Sequence, residues 1–352
     1  MKSQRNGLRE RSPWGSKMKI LFVGHKYHER TGSSSFIENL LSKEGSVTST
    51  HVDYEAPDPW KWARALHEKR WDLIVHWQVM VTPSDKITIR KNDNLVLFPM
   101  ADSAPSIQKP EKWWPYRACL IVNFSEKLDK QLKKIGLTTR RLHFAPCPQE
   151  VKDFGDTKSL FFWRRRNYPD CETVRALVNL QGIERVHIHN APDPGIELQP
   201  LTFGPGITVS ESAWFDRKEE LTEKMKESAW YLAPRKKEGI GMSFLEAMAM
   251  GRCVAAADET TMNEIITHRI NGYLLGNDSS RLNKDEIRAI QSKALESISK
   301  TRDKWNQDAN QLLLVLNRQT PGYGFALKKA MTLRFFRNPV KVIRAAIEFR
   351  MN

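Results

Sequence analysis

Apolar residues occur along this chain in short unbroken runs, each followed by a polar loop and then by a stretch where they recur at helical spacing. Lys19-Ile20-Leu21-Phe22-Val23-Gly24 is the first run; after the loop from His25 to Ser35, Phe36, Leu40 and Leu41 begin a helical stripe. Asp72 to Trp77, Asn94 to Phe98 and Ala118 to Val122 are further runs, and Ser125 to Ile135 reads as a helix. Apolar runs without alternation mark strands covered on both faces, as in parallel sheets with helical crossovers. Four such strands predict a Rossmann-like α/β layer.

Ala145-Pro146-Cys147-Pro148 interrupts the pattern, because two prolines in four residues stop regular structure. A second series then begins. Lys158 to Trp163, Val186 to His189, Ile207 to Val209, Trp230 to Ala233 and Arg252 to Asp258 read as strands, and Asp216 to Lys226 as a charged amphipathic helix. A chain of 352 residues also exceeds what one hydrophobic core usually supports. The expected organisation is a disordered basic tail over residues 1–17, one α/β domain over 18–150, a second over 151–320, and a basic amphipathic helix over 321–352. In that last segment Phe336, Val340, Ile343 and Ile347 share one face, with Pro339 at the helix start.

The richest chemistry lies in Glu238-Gly239-Ile240-Gly241-Met242-Ser243-Phe244-Leu245-Glu246. Two carboxylates stand eight positions apart around a glycine turn that opens a helix. Gly239 and Gly241 permit backbone conformations and close approaches that a Cβ would block. Ser243 with Glu246 three residues on predicts a capping box, and Thr261 with Glu264 a second one. A helix N-terminus presents free N–H groups and partial positive charge, a setting suited to a diphosphate.

The segment from residue 230 to 275 closely resembles the donor domain of the group-one (family four) retaining glycosyltransferases. It carries their E-x7-E signature as Glu238 and Glu246, the surrounding EGxGxSxLEAMAxG pattern, the downstream glutamate and an NGxL element. The resemblance implies a GT-B fold: two Rossmann-like α/β domains facing across a cleft, the first on the acceptor side and the second binding a nucleotide-sugar donor, followed here by a helical C-terminal extension. It implies that Glu238 lies near the transferred sugar and that Glu246 accepts hydrogen bonds from the ribose. Gly239, Gly241, Met242 and Ser243 are the accompanying donor-binding candidates.

In that family an arginine and then a lysine after the first donor-domain strand grip the diphosphate. Here Arg164-Arg165-Arg166 follows the strand and no lysine stands at the second place; Arg164 and Arg166 are the candidates, with guanidinium forks suited to phosphate oxygens. Where the family has paired glycines after the first strand, this chain has Gly32 alone before Ser33-Ser34-Ser35. Asp102 after Phe98-Pro99-Met100-Ala101 is the candidate for positioning an acceptor, with a turn aspartate as the alternative. His76 ends a buried strand at the edge where such sheets place ligands, with a packed core side chain as its alternative.

The net charge of +15 raises nucleic acid as a partner. It is concentrated at the ends, with five Lys or Arg against one Glu in residues 1–17 and seven against one Glu in residues 328–352. The body lacks a basic-aromatic stripe, so nucleic acid is not the expected partner. The expected function is therefore transfer of a hexosyl group from a nucleotide-diphosphate donor to a glycan or lipid-linked acceptor, retaining, with no metal and no cofactor beyond the donor as co-substrate. A DNA-modifying glucosyltransferase and a non-catalytic GT-B scaffold remain the alternatives. Four scattered cysteines, with no C-x-x-C pair, fit a reducing cytoplasm. The basic C-terminal helix has two readings: packing back onto the first domain, as the resemblance implies, or peripheral attachment to an anionic membrane surface, in the service of polysaccharide biosynthesis.

Overall fold

The computed structural model describes residues 17–87, 89, 94–277 and 280–317. The expected N-terminal tail and C-terminal amphipathic helix lie outside the described residues. Two parallel six-stranded sheets carry the chain. The first has the order β2-β1-β3-β4-β5-β6, formed by β1 (Met18–His25), β2 (Gly45–Val52), β3 (Leu73–Trp77), β4 (Leu95–Phe98), β5 (Leu120–Asn123) and β6 (Thr139–Arg141). Helices α1 (Tyr27–Thr31), α2 (Ser35–Leu41), α3 (Lys61–His67) and α4 (Glu126–Lys134) alternate with its strands.

The second sheet has the order β12-β11-β10-β7-β8-β9. Its strands are β7 (Asp156–Arg164), β8 (Arg185–Asn190), β9 (Thr208–Ser212), β10 (Ser228–Leu232), β11 (Cys253–Ala257) and β12 (Tyr273–Leu275). Helices α5 (Cys171–Gln181), α6 (Lys218–Lys226) and α7 (Met242–Ala249) cross between them, and α8 (Lys284–Asn317) closes the described chain.

The apolar runs became the central strands for the expected reason. Every residue of β3, β4, β5, β10 and β11 is buried. Two strands had no apolar run to announce them. β2 is Gly-Ser-Val-Thr-Ser-Thr-His-Val at the sheet edge, with only its two end residues buried, and the three residues of β6 are half-buried at the opposite edge. An edge strand covered on one side only needs no continuous apolar sequence.

Contacts divide the chain into two compact units. Among the described residues, the first takes those up to Phe98, Glu111–Leu120 and 312–317; the second takes those of Pro99–Pro110 and Ile121–Gln311. In the second unit, β7, β10 and β11 with α5 and α8 enclose a core of Leu160, Phe162, Trp230, Leu232, Ala255 and Ile287. Within the same unit α8 is tied to residues 143–145: His143 Nδ1 lies 2.7 Å from Asp308 Oδ2, and Arg302 donates to the Ala145 carbonyl at 2.9 Å. The carboxyl ends of β7, β8 and β10 lead into loops that carry Arg164–Arg166, Asp193 and Arg235–Glu238.

Candidate functional site

The glycine turn before α7 is built from two separate constraints. Gly241 is in the left-handed region at φ +78°, and a Cβ there would fall inside the Phe244 ring. Gly239 faces a different obstacle: its Cβ would stand 2.7 Å from Met100 Cβ and 3.0 Å from Asp102 Oδ1. Only glycine lets the 238–241 loop lie against the turn after β4, and only glycine enters α7 at this angle.

Helix α7 begins at Met242 with Gly241 as its N-cap, and no side chain caps it. This corrects the expected Ser243 capping box. The cap position went to a residue without a side-chain acceptor, so Ser243 falls inside the first turn and the first backbone donors of the helix have no side-chain partner. Met242, Ser243 and Glu246 are the half-buried positions of α7, all on one face, whereas Phe244, Leu245, Ala247 and Met248 are buried. Glu246 Oε1 is paired with Lys218 Nζ at 2.6 Å.

Glu238 is 7% exposed. Its loop is pinned by its own backbone: the Thr261 hydroxyl donates to the Glu238 carbonyl at 2.6 Å, and Glu238 N–H reaches the Thr260 carbonyl at 3.4 Å. Arg235 Nη1 lies 3.0 Å from Asp102 Oδ2 and 3.7 Å from Glu238 Oε2. Burial pushes the Glu238 carboxyl up to about 7; Arg235 and Arg165 oppose the rise, while Asp102 and Asp193 add to it. The second unit therefore brings together Asp102, Arg235, Glu238 and Arg165.

The three arginines after β7 have divided fates. Arg164 is nearly buried and donates to the Gln199 carbonyl, and its desolvation lowers its pKa. Arg165 holds Asp193 Oδ1 through Nε at 2.9 Å and Nη2 at 2.5 Å, and Arg166 Nε holds Oδ2 at 2.6 Å. Burial alone would raise the Asp193 carboxyl; these arginines more than offset it and hold it below the usual carboxylate range. Arg164 and Arg166 were the sequence candidates, yet Arg165 is the one whose charge reaches Glu238. Strand alternation carries the reason, since β7 runs through Arg164 and turns that side chain inward.

Asp193 and Arg235 were missed as members of the site. Pro192-Asp193-Pro194 reads locally as a turn, and Arg235 as one charge in a basic loop. The available signal was topological, because both follow strands whose carboxyl ends converge on one side of the sheet. Glu264 also departs from expectation. It does not close a box with Thr261; its carboxylate accepts from Ser125 Oγ at 2.9 Å, Glu126 N at 2.5 Å and Lys127 N at 3.1 Å, which caps α4 instead.

His76 and Gly32 belong to the first unit. His76 has no exposed surface. The Tyr116 hydroxyl accepts from Val81 N–H at 2.9 Å, leaving its own proton for His76 Nδ1 at 2.9 Å, and His76 Nε2 meets His67 Nε2 at 3.2 Å. Burial and then the neighbouring His67 hold the His76 imidazole well below its ordinary value, in the neutral form. Gly32 closes α1 at φ +60°, and its N–H bonds to the His28 carbonyl at 2.8 Å. Among the described residues, no group of three His, Cys, Asp or Glu side chains is placed to hold a metal ion. No helix of the described residues is long and apolar enough to cross a membrane.

Residues 211–312 match the family described as glycosyl transferases group 1. No curated protein matches the chain in sequence. Among solved structures, sucrose-phosphate synthase from Thermosynechococcus elongatus is similar at 13% identity, with a TM-score of 0.57 over 84% of this chain and 98% of that one. HepE from Anabaena, solved with UDP and glucose, is similar at 14% identity, with a TM-score of 0.51 over 84% of this chain and 100% of that one. TarM from S. aureus is similar at 14% identity and a TM-score of 0.47; the match covers 70% of this chain and 55% of TarM, so the chain spans about half the length of that protein. The likenesses to sucrose-phosphate synthase and HepE establish the fold as GT-B.

Proposed function

We propose that this chain is a nucleotide-sugar-dependent glycosyltransferase that moves a hexosyl group from a nucleoside-diphosphate donor to a glycan or lipid-linked acceptor. In this reading transfer retains the anomeric configuration and needs no metal ion. The observation that carries it is the placement of Glu238 and Glu246 on either side of the Gly241-led start of α7, inside the segment that matches the group 1 family. The capture of UDP and glucose by HepE, a protein of the same fold, supports a sugar nucleotide as the donor.

Glycosyl transfer develops positive charge on the sugar and negative charge on the departing diphosphate, so the site must first stabilise the anion. The uncapped amides of α7 supply part of that field. Arg165 and Arg166 supply the rest by exchanging one carboxylate partner, Asp193, for phosphate oxygens of similar geometry. Glu246 gives up Lys218 to accept the ribose hydroxyls. Glu238, nearly buried and able to exist in either charge state near neutrality, meets the transferred sugar. Asp102 borders Glu238 through Arg235, and Gly32, where a Cβ would stand 3.9 Å from Ser35 Oγ, is the remaining donor-binding candidate. Action at the cytoplasmic face of a membrane, in polysaccharide biosynthesis, completes the reading.

The test is a melting-temperature screen over UDP-, GDP-, ADP- and TDP-sugars, since a ligand that binds only the folded chain raises its midpoint. One donor class should raise it, with and without EDTA. Proton NMR of the product from that donor then reads the anomeric configuration. The proposal fails if no sugar nucleotide raises the midpoint of a folded, cooperatively melting sample.

A further inference from the structure

Asp102, Arg235 and Glu238 form a three-body arrangement to which the donor-site reading assigns a place but no consequence for the charge of Glu238. One guanidinium nitrogen, Arg235 Nη1, faces two carboxylates and stands closer to Asp102, at 3.0 Å, than to Glu238, at 3.7 Å. The Arg235 side chain is 21% exposed, Asp102 14% and Glu238 9%, so little solvent screens the three charges. Gly239 fixes the spacing: its missing Cβ is what lets Asp102 Oδ1 and Met100 close on the loop.

We propose that Asp102 is a positioning residue that competes with Glu238 for Arg235, and so sets whether Glu238 carries a proton. The proposal deepens the transferase reading, and rests on it for its consequence in catalysis; the competition itself is a property of the chain alone.

The groups facing Glu238 are Arg235 from its own loop, Asp102 from the loop after β4, Arg165 from the loop after β7, Asp193 from the loop after β8 and the buried Tyr231 phenol of β10, which stays neutral and is itself held protonated by burial and by Glu238. Arg165 is occupied by Asp193, whose negative charge cancels much of its effect at Glu238. Arg235 is thus the cation whose position decides the balance. While Asp102 holds it, Glu238 is left nearly buried with an incompletely paired charge, and burial favours the protonated acid. When Asp102→Asn removes that carboxylate, Arg235 moves fully to Glu238, and the repulsion from Asp102 vanishes with it. Both changes favour the carboxylate. Loss of Arg235 does the opposite, leaving Asp102 and Glu238 as two like charges in a poorly screened site.

Two substitutions that each delete one charge therefore act in opposite directions. A merely structural role for either residue does not produce that pattern, and this makes the proposal testable without any substrate. The experiment is carbon-13 NMR of the folded chain labelled at glutamate Cδ, with Glu238 identified as the resonance missing from Glu238→Gln, titrated from pH 4 to 9. Asp102→Asn should lower the Glu238 midpoint by about one pH unit, and Arg235→Met should raise it by about as much. Arg235→Lys, which keeps the charge, should restore most of the wild-type midpoint and serves where Arg235→Met does not fold.

Shifts in the same direction, or midpoints within 0.2 pH units of wild type (about the precision of such a titration) in Asp102→Asn and Arg235→Met, overturn the proposal. Because the readout needs neither donor nor acceptor, that failure leaves the sugar-nucleotide screen untouched. A failed screen with opposed titration shifts would instead remove the transferase reading and keep the competition.

Discussion

Two titratable groups at the ends of buried strands, one in each unit, meet opposite conditions. His76 ends the central region of the first sheet and Glu238 lies in the loop after β10 of the second, and both are pushed toward their neutral forms by burial. His76 sits in a closed chain of neutral hydrogen bonds running from Val81 through Tyr116 to His67, with no exposed surface. Glu238 sits among two cations and two other carboxylates, beside a helix start whose donors no side chain caps. The same desolvation thus locks one group into a single state and leaves the other balanced near neutrality. Burial alone does not mark a site; burial with an exchangeable counter-charge does.

The largest expected effect tests that difference directly. Glu238→Gln should lower transfer 10²- to 10³-fold, the scale of losing one preorganised electrostatic contact to a transition state, with no loss of melting temperature. His76→Ala should do the reverse, costing about 2 to 4 kcal/mol of stability through a cavity and a broken hydrogen-bond chain. Denaturant unfolding and initial rates on the same preparations separate the two. A His76→Ala chain of wild-type stability but lowered kcat would erase the contrast and return the histidine to the site.

Two glycines offer the next comparison. Gly241→Ala combines a left-handed backbone with collision against Phe244 and should cost about 3 kcal/mol while abolishing any nucleotide-induced rise in melting temperature. Gly32→Ala meets only the backbone penalty, because its nearest neighbour is Ser35 Oγ at 3.9 Å, and should cost about 1 kcal/mol. Equal losses would show that the Phe244 contact does not shape the start of α7.

The legible parts of the sequence were those where one local signal dominates. Uninterrupted apolar runs located β1, β3, β4, β5, β7, β10 and β11, and the Gly-x-Gly before Ser243 located the start of α7 within a residue. β2 and β6 were invisible because edge strands need little apolar sequence. The Ser243 and Thr261 boxes failed because capping is a competition: Gly241 took one cap, and Glu264 found the amides of α4, more than a hundred residues away in sequence. Arg165, Asp193 and Arg235 went unrecognised individually because their meaning is relational. Each is an ordinary loop charge until the strand order places it beside the others.

Stability as a function of pH sharpens the contrast from the other side. A carboxyl raised to about 7 in the folded chain binds a proton that the unfolded chain has already released above its ordinary value near 4.5. The folded state then holds more protons, so stability falls as pH rises from about 4.5 to about 7 and levels off above it. Glu238→Gln removes this dependence. It should match wild type below pH 4.5 and exceed it by about 2 to 3 kcal/mol above pH 7, read from denaturant midpoints. His76 cannot be used to predict an equivalent gain near neutrality, because its neutral form is already the one that unfolded histidine adopts there.

The smallest expected effect concerns two exposed tryptophans of the two units. Trp214 follows β9 and is 38% exposed, with its ring edge-on to Trp163 at 6.3 Å; the Trp163 indole Nε1 is buried without a hydrogen-bond partner. An exposed ring beside an unsatisfied donor, at the carboxyl end of the sheet that carries Arg165, suits stacking and hydrogen bonding to a heteroaromatic base. Trp62 is more exposed, at 58%, and has Lys61 Nζ over its ring at 5.1 Å. A lysine ammonium already sits over its ring, which makes it the weaker candidate. Trp214→Ala should weaken nucleoside-diphosphate binding about fivefold, near 1 kcal/mol, and Trp62→Ala should leave it unchanged. Calorimetric titration with UDP, or with whichever nucleotide the melting screen selects, decides between them. If Trp62→Ala gave the larger loss, the base would have to be sought in the first unit, and the placement of the donor beside α7 would go with it.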